Sequence, residues 1–321
     1  MKTEKVSVIS AVYNEEKTFA EHIDSLLRQT YPSFEIIIVD DGSADKTSSI
    51  AKTYQRRHPR LIRYYHIDHK PGYGCVRPRL HGVSKAKGSI FCIVEGDGYY
   101  EPDYLAQCFT ALNKSRADAV VPQMHLWKPQ TLIARYRDIL YRLRFRDPVL
   151  MRERIQQAQQ QPFFIRKKAY EAAGGYNLRD AYSEDTELVK RLLRRGTKIV
   201  YAPKAHWYHK VEETVSAVCA KNFSIGAMNA RRDLSQPKTL LKHVYFFSPF
   251  LFLLLGFFSP FLWVFLLLHP IPLFVHALLL YVRASGIHGS SLVFLGPFIS
   301  YFVNISRTLG FLSFFLLGRR S

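Results

Sequence analysis

The sequence predicts an α/β fold, a mainly parallel sheet with helices on both faces, followed by a C-terminal transmembrane helical region. Two patterns predict it. Short β-branched runs alternate with helical patterns through the first two thirds of the chain, the order produced by crossover units around a parallel sheet. Residues 244–282 then carry no charge at all, a 39-residue run whose helix would reach about 58 Å, nearly twice a bilayer core.

The strands and helices follow in order. Residues 6–12 form a continuous apolar run and read as a buried strand, and 15–30 as a helix with Asn14 as its N-cap. Residues 35–39 read as a strand and 46–57 as a helix. Segments 62–66, 89–94 and 119–122 supply further strands, with helices beginning near Arg77 and Pro102. A strand over 198–201 precedes a loop carrying His206-Trp-Tyr-His209, whose imidazoles could approach a metal or a diphosphate.

The charge is distributed in the same two parts. Of a formal net charge of +19 over 321 residues, +15 falls on residues 1–243; beyond them stand only Arg283, Arg307, Arg319 and Arg320. We therefore expect residues 1–243 to form a cytosolic α/β domain and 244–321 a membrane domain. Two spans would turn at 256–260 or 269–272, and the run from 284 to 306 would add a third span or an interfacial helix. Basic residues favour the cytosolic side, so an even number of spans keeps Arg283 and the Arg319-Arg320 pair with the basic domain. The expected location is the cell membrane, multi-pass, with the α/β domain facing the cytoplasm. Apolar residues 6–12 are too few for a signal-peptide core with a cleavage site.

Residues 131–146 place Leu132, Tyr136, Ile139, Leu140 and Leu143 on one helical face, and 135–154 hold seven arginines against three acids. That amphipathic basic segment, near 131–154, is expected to lie on anionic lipid headgroups. The four cysteines are scattered, without a Cys-x-x-Cys pair, which points away from a disulfide framework and a zinc site. Basicity alone would admit nucleic acid; with membrane spans attached, anionic lipid and a diphosphate account for it, and no nucleic-acid partner is expected.

In open α/β sheets, ligands sit beyond the carboxyl ends of the strands. Two acidic loops stand there, Asp40-Asp41-Gly42-Ser43 and Glu95-Gly96-Asp97-Gly98. A carboxylate so placed accepts hydrogen bonds from a base or ribose, or holds a hard cation, and glycine admits a diphosphate. The plainer alternative for Asp40-Asp41-Gly42-Ser43 is a turn with an N-cap. There is no Walker loop, and no Gly-x-Gly-x-x-Gly after the first strand.

The segments Val6-Ser-Val-Ile-Ser-Ala-Val-Tyr-Asn-Glu-Glu16, Ile38-Val-Asp-Asp-Gly-Ser43, Ile93-Val-Glu-Gly-Asp97, Gly174-Gly-Tyr176 and Ser183-Glu-Asp185 resemble, in order and spacing, the family 2 inverting glycosyltransferases. The resemblance covers roughly residues 5–205 and is closest to the membrane-anchored members related to polyprenyl-phosphate sugar synthases. It implies a GT-A fold, a nucleotide-diphosphosugar donor, a divalent cation (Mg2+ or Mn2+), and a lipid-linked acceptor. By it Asp41, with Asp40 beside it, contacts the donor nucleotide, Arg79 lies near the nucleotide, and Asp97 is the metal ligand. Asp185 is the catalytic base. Glu95 stands where the family has Asp, one methylene longer, and Leu80 replaces the Asn of Arg-Asn-x-Gly. Two alternatives remain open, a processive polysaccharide synthase and a catalytically inactive membrane scaffold, as do the sugar, the nucleotide base and the oligomeric state. Against processivity, residues 217–226 lack Gln-x-x-Arg-Trp.

Overall fold

A computed structural model describes residues 3–146, 155, 164–180, 184–210, 214–234, 237–255, 268–283 and 290–316. The chain divides into two compact units, Met1–Trp127 with Arg144–Lys210, and Lys128–Leu143 with Val211–Ser321. The composition changes at 243/244, but the packing changes at 210/211, because residue 243 lies inside a helix, Pro237–Leu255, that belongs wholly to the second unit.

The first unit is built on an eight-stranded mixed sheet. Its strands are β1 (Val6–Val12), β2 (Phe34–Asp40), β3 (Ile62–His66), β4 (Ile90–Glu95), β5 (Gly98–Tyr100), β6 (Ala119–Leu126), β7 (Phe164–Arg166) and β8 (Ile199–His209), in the order β3-β2-β1-β4-β7-β6-β8-β5. Strands β1 to β4 run parallel to their neighbours among themselves, β7 is antiparallel to β4 and β6, and β5 is antiparallel to β8. Val8, Ile9, Ile36, Ile37, Ile38 and Val39 are fully buried. Burial on both faces explains why these strands read as continuous apolar runs.

Helices α1 (Phe19–Leu27), α2 (Thr47–Arg57), α3 (Val76–Lys85), α4 (Tyr104–Lys114), α6 (Lys167–Ala172) and α7 (Glu184–Arg194) belong to this unit. Helix α5 (Leu132–Arg146) lies mostly in the other. Helix α1 starts four residues later than expected, after Thr18, and Asn14 does not cap it. Asn14 takes a left-handed φ of 54° and accepts a hydrogen bond from the Ala44 amide at 2.9 Å, so it ties two strand-end loops together. Strand β8 is also longer than expected. It continues from 199 to 209 by pairing with β6 beyond a register shift, so His206-Trp-Tyr-His209 is strand and not loop.

The second unit contains most of α5 with α8 (Val215–Leu234), α9 (Pro237–Leu255), α10 (Ile271–Arg283) and α11 (Gly296–Leu316). Helices α8 and α11 touch through glycines: a Cβ at Gly226 would overlap the Arg307 carbonyl oxygen, and one at Gly310 the Phe223 carbonyl oxygen. His243 Nδ1 and Thr308 Oγ1, 2.9 Å apart, join α9 to α11. A turn falls at His269–Pro270, one of the two expected sites; the other, 256–260, lies outside the described residues.

Among the described residues one helix, Ser291–Ser313, is long and apolar enough to cross a membrane, with a mean hydropathy of 1.3. It runs through Arg307 instead of stopping before it. Helix α5 buries Ile133, Tyr136 and Ile139 while Leu132 is exposed, and Ile139 and Val293 form an apolar cluster with Leu143, Leu280 and Leu292 against it. Residues 147–154 of the basic segment lie outside the described residues.

Candidate functional site

The end of β2 separates the two neighbouring acids. Asp40 is fully buried and turned inward: the Ser43 amide and the Tyr64 hydroxyl each donate to it at 2.9 Å, and Ser48 donates as well. Burial alone would raise its carboxyl, yet the hydrogen bonds from Ser43 and Ser48 outweigh it and hold the group below the usual Asp range. This carboxylate closes the turn that follows β2. Gly42 in that turn has φ +73°, and a Cβ there would meet His69 N at 2.7 Å.

Asp41 is held differently. Its Oδ2 lies 2.8 Å from His69 Nδ1, while its Oδ1 is buried and has no hydrogen-bond partner, an arrangement able to accept from an N–H or O–H donor. Burial raises its carboxyl, against the pull of His69 and Arg77. The His69 ring stacks on Tyr13 with centroids 4.4 Å apart, and Tyr13 is 45% exposed. A flat aromatic surface therefore adjoins the Asp41 carboxylate.

Arg79, on α3, is the centre of a second cluster. The residue is 3% exposed, and its guanidinium reaches three carboxylates: Glu95 Oε1 at 2.9 Å, Glu184 Oε1 at 3.0 Å, and Asp185 Oδ1 and Oδ2 at 2.8 and 2.9 Å. The Tyr176 hydroxyl donates to Asp185 Oδ1 at 3.1 Å. One cation thus faces three acids. Burial pushes Asp185 above the ordinary Asp range, the Arg79 charge pulls it back and the Glu95 charge raises it again. Burial and then the Asp185 charge likewise push Glu184 up. Arg79 thus gathers the acids of the cluster. Leu80, its neighbour in place of the family's Asn, packs against the core.

The third group surrounds the loop after β4. Asp97 Oδ2 lies 3.2 Å from His209 Nε2, because β5 and β8 pair with Gly98 opposite His209. Burial raises the Asp97 carboxyl, and the hydrogen bond and charge of His209 more than offset it, so the group sits below its usual range. His22 braces the loop from α1. Its Nδ1 donates to the Gly98 carbonyl at 2.8 Å, which leaves Nε2 to accept from Ser10 Oγ at 2.9 Å. Burial drops its pKa to about 4 and keeps it neutral. Glu15 is pushed up to about 7, first by burial and then by the charge of Asp97.

Among the described residues no three His, Cys, Asp or Glu side chains converge as a metal-holding group. Asp97 with His209 nevertheless fits a cation that carries most of its coordination on substrate phosphates and water, since magnesium and manganese need only one or two protein carboxylates there. One oxygen of Glu95, Oε1, is held by Arg79. Five residues here were given no role by the sequence: Tyr13, Glu15, His22, His69 and Tyr176. Glu184 appeared only as part of a motif. Tyr13 and Tyr176 each lie within a segment of that resemblance, which is the signal that marks them.

Glycosyl transferase family 2 matches residues 7–174, more than half of the chain, and glycosyl transferase family group 2 matches 93–288. The putative glycosyltransferase EpsH of Bacillus subtilis is 36% identical over 107 residues, covering 33% of this chain and 30% of its own. Glycosyltransferase GlyG of Streptococcus pneumoniae is 31% identical over 119 residues, 37% of this chain and 38% of its own. The chain thus aligns with less than half of the length of these relatives. Among solved structures, the mannosyltransferase PcManGT of Pyrobaculum calidifontis, in complex with GDP-Man and Mn2+, has a TM-score of 0.60 at 18% identity, covering 99% of this chain and 89% of that one. Residues 1–349 of S. aureus TarS, in complex with UDP, have a TM-score of 0.53 at 19% identity, covering 99% and 93%. These likenesses show a GT-A fold.

Proposed function

The chain belongs to glycosyl transferase family 2, and from that premise we propose that it moves a single sugar, with inversion, from a nucleotide-diphosphosugar to a lipid-linked acceptor, a polyprenyl phosphate or a lipid-linked glycan. The observation that carries this reading is the position of Arg79. Its guanidinium joins Asp185 to Glu95, two residues before Asp97, so the acid suited to the acceptor and the acid suited to the donor's cation belong to one site.

Asp41 accepts from the nucleotide base or ribose beside Tyr13 and His69. Asp97 and His209 would hold Mg2+ or Mn2+, which would neutralise charge growing on the leaving diphosphate. An acceptor oxygen forms the new bond to the anomeric carbon as the bond from that carbon to the diphosphate oxygen breaks, and the nucleoside diphosphate departs. With a hydroxyl acceptor, Asp185 takes the proton; its two contacts to Arg79 and one from Tyr176 fix its direction. With a phosphate acceptor, already anionic, Asp185 positions and no proton moves. The neighbour bound to GDP-Man and Mn2+ supports the donor class and the cation.

The apolar helices of the second unit support a membrane location, with the α/β unit on the cytoplasmic face and the basic face of α5 towards anionic lipid. A screen of nucleotide sugars against extracted membrane lipids tests the proposal. Donor consumption that yields one added sugar per lipid supports it, a polymer would indicate the processive synthase, and no donor turnover with any lipid would contradict it.

A further inference from the structure

We propose that Glu184 holds a proton at neutral pH, so that the neighbouring Asp185 stays ionised for the acceptor. Arg79 brings one positive charge to three carboxylates, those of Glu184, Asp185 and Glu95. Ionised together, they would leave two negative charges uncompensated around a buried guanidinium, and like charges sharing such a site do not all ionise. Of the other titratable groups described at the cluster, the Cys75 thiol just before α3 and the Tyr176 hydroxyl are both raised above their ordinary ranges by burial and stay neutral. One proton therefore belongs to the three acids.

What each acid touches decides which one carries it. Asp185 has three side-chain contacts, two to Arg79 at 2.8 and 2.9 Å and one from Tyr176 at 3.1 Å, and donors of this kind favour the ionised form. Glu95 has Arg79 alone, but its side chain is 28% exposed and water solvates its charge. Glu184 has least of both, one side-chain contact to Arg79 at 3.0 Å and a side chain 10% exposed, against 23% for Asp185. A neutral carboxyl keeps that contact, because its carbonyl oxygen still accepts from the guanidinium. Burial and then the Asp185 charge push the Glu184 carboxyl up, in the same direction. Glu184 and Asp185 both stand in the first turn of α7, so the helix dipole favours charge on each alike and does not choose between them.

Glu184 is thus a positioning residue that acts through Asp185. Its use in transfer rests on the acceptor role proposed for Asp185, but the proton is measured without turnover. Full-length protein in neutral detergent is taken from about pH 8 to about pH 5.5, where exposed carboxylates remain largely ionised, and the infrared carbonyl band of newly protonated carboxyl groups is recorded. Glu15, pushed up to about 7 first by burial and then by the Asp97 charge, titrates in the same range, so every protein compared carries Glu15→Gln. Glu184→Gln should lose a band equal to one carboxyl; its amide oxygen can keep the Arg79 contact, and circular dichroism verifies the fold. Asp185→Asn should keep the band and move its midpoint about one pH unit lower, a tenfold weaker hold on the proton, because a like charge is gone. No band in the parent protein, or an undiminished band in Glu184→Gln, overturns the proposal. So does a band that Asp185→Asn removes, which would put the proton on Asp185; that variant decides alone if Glu184→Gln does not fold. Full turnover by Asp185→Asn would remove the catalytic reading of Asp185 without altering these bands, so the two failures are separable.

Discussion

The guanidinium of Arg79 donates to both carboxylate oxygens of Asp185, at 2.8 and 2.9 Å, while the same nitrogen also reaches Glu184 at 3.0 Å. Removing this cation would strand three acids. Arg79→Met should therefore cost about 3–5 kcal/mol of stability, the range for breaking a buried pair from one side. Arg79→Lys keeps the charge and loses the fork, so it should fold better while misdirecting Asp185. Thermal unfolding of the two variants checks this; equal stability of Arg79→Met and the wild type would contradict it.

Asp97 and His209 should act together on the cation. Asp97→Asn should abolish most of the Mn2+ binding seen by electron paramagnetic resonance in the presence of donor, and His209→Gln should weaken it. Glu95→Gln should lose less, because Arg79 already occupies that carboxylate. Mn2+ affinity unaltered by Asp97→Asn would remove the ligand assignment.

Acid should destabilise the α/β unit through Glu35. Its carboxylate accepts from Ser7 Oγ and the Lys87 amide at 2.7 Å each and from Arg63 at 2.8 Å. Burial raises its pKa, but the bonds from Ser7 and Lys87 and the Arg63 charge win, leaving it below the model-compound value of 4.5. A depressed folded pKa contributes stability that is present above 4.5 and is lost as pH falls through the folded value. Glu35→Gln should be about 1–3 kcal/mol less stable at pH 7, with a gap that narrows below pH 4.5. Urea unfolding at pH 7 and pH 3.5 measures both, and a gap that widens in acid would refute the sign.

The contact of α8 and α11 depends on Gly226 and Gly310. A side chain at either position meets the other helix's backbone, which cannot rotate away as a side chain can. Gly226→Val and Gly310→Val should each destabilise the protein in detergent by more than the roughly 1–3 kcal/mol of ordinary overpacking, read as a lowered melting temperature. A melting temperature unchanged by both would mean that the helices do not meet there.

Much of the sheet was legible in the sequence because β1, β2 and β4 are buried on both faces, and a run such as Phe-Glu-Ile-Ile-Ile-Val-Asp carries that burial in its composition. What escaped depended on long-range pairing. Local pattern makes His209 a loop residue, because β8 extends only by pairing with β6 and β5, contacts that no local pattern records. Asp40 and Asp41 are indistinguishable by sequence, and the structure separates them because alternate residues of an extended chain face opposite ways. The acids gathered by Arg79 lie up to 106 residues from it, so the hub is a product of the fold even though Arg79, Glu95 and Asp185 stood out by motif.

The central claim is that this site transfers a sugar with Asp185 at the acceptor. The most direct measurement is acceptor-dependent release of nucleoside diphosphate by the wild type and by Asp185→Asn, with donor affinity determined in the same preparations. For a hydroxyl acceptor the account predicts a loss of about 10²- to 10⁴-fold at preserved donor affinity. The wild-type rate should also fall as pH drops through the raised pKa of Asp185, since the base must be ionised. For a phosphate acceptor the loss should be smaller and that acidic limb absent. An Asp185→Asn enzyme that binds donor normally and releases nucleoside diphosphate at the full wild-type rate with its true acceptor would contradict the account.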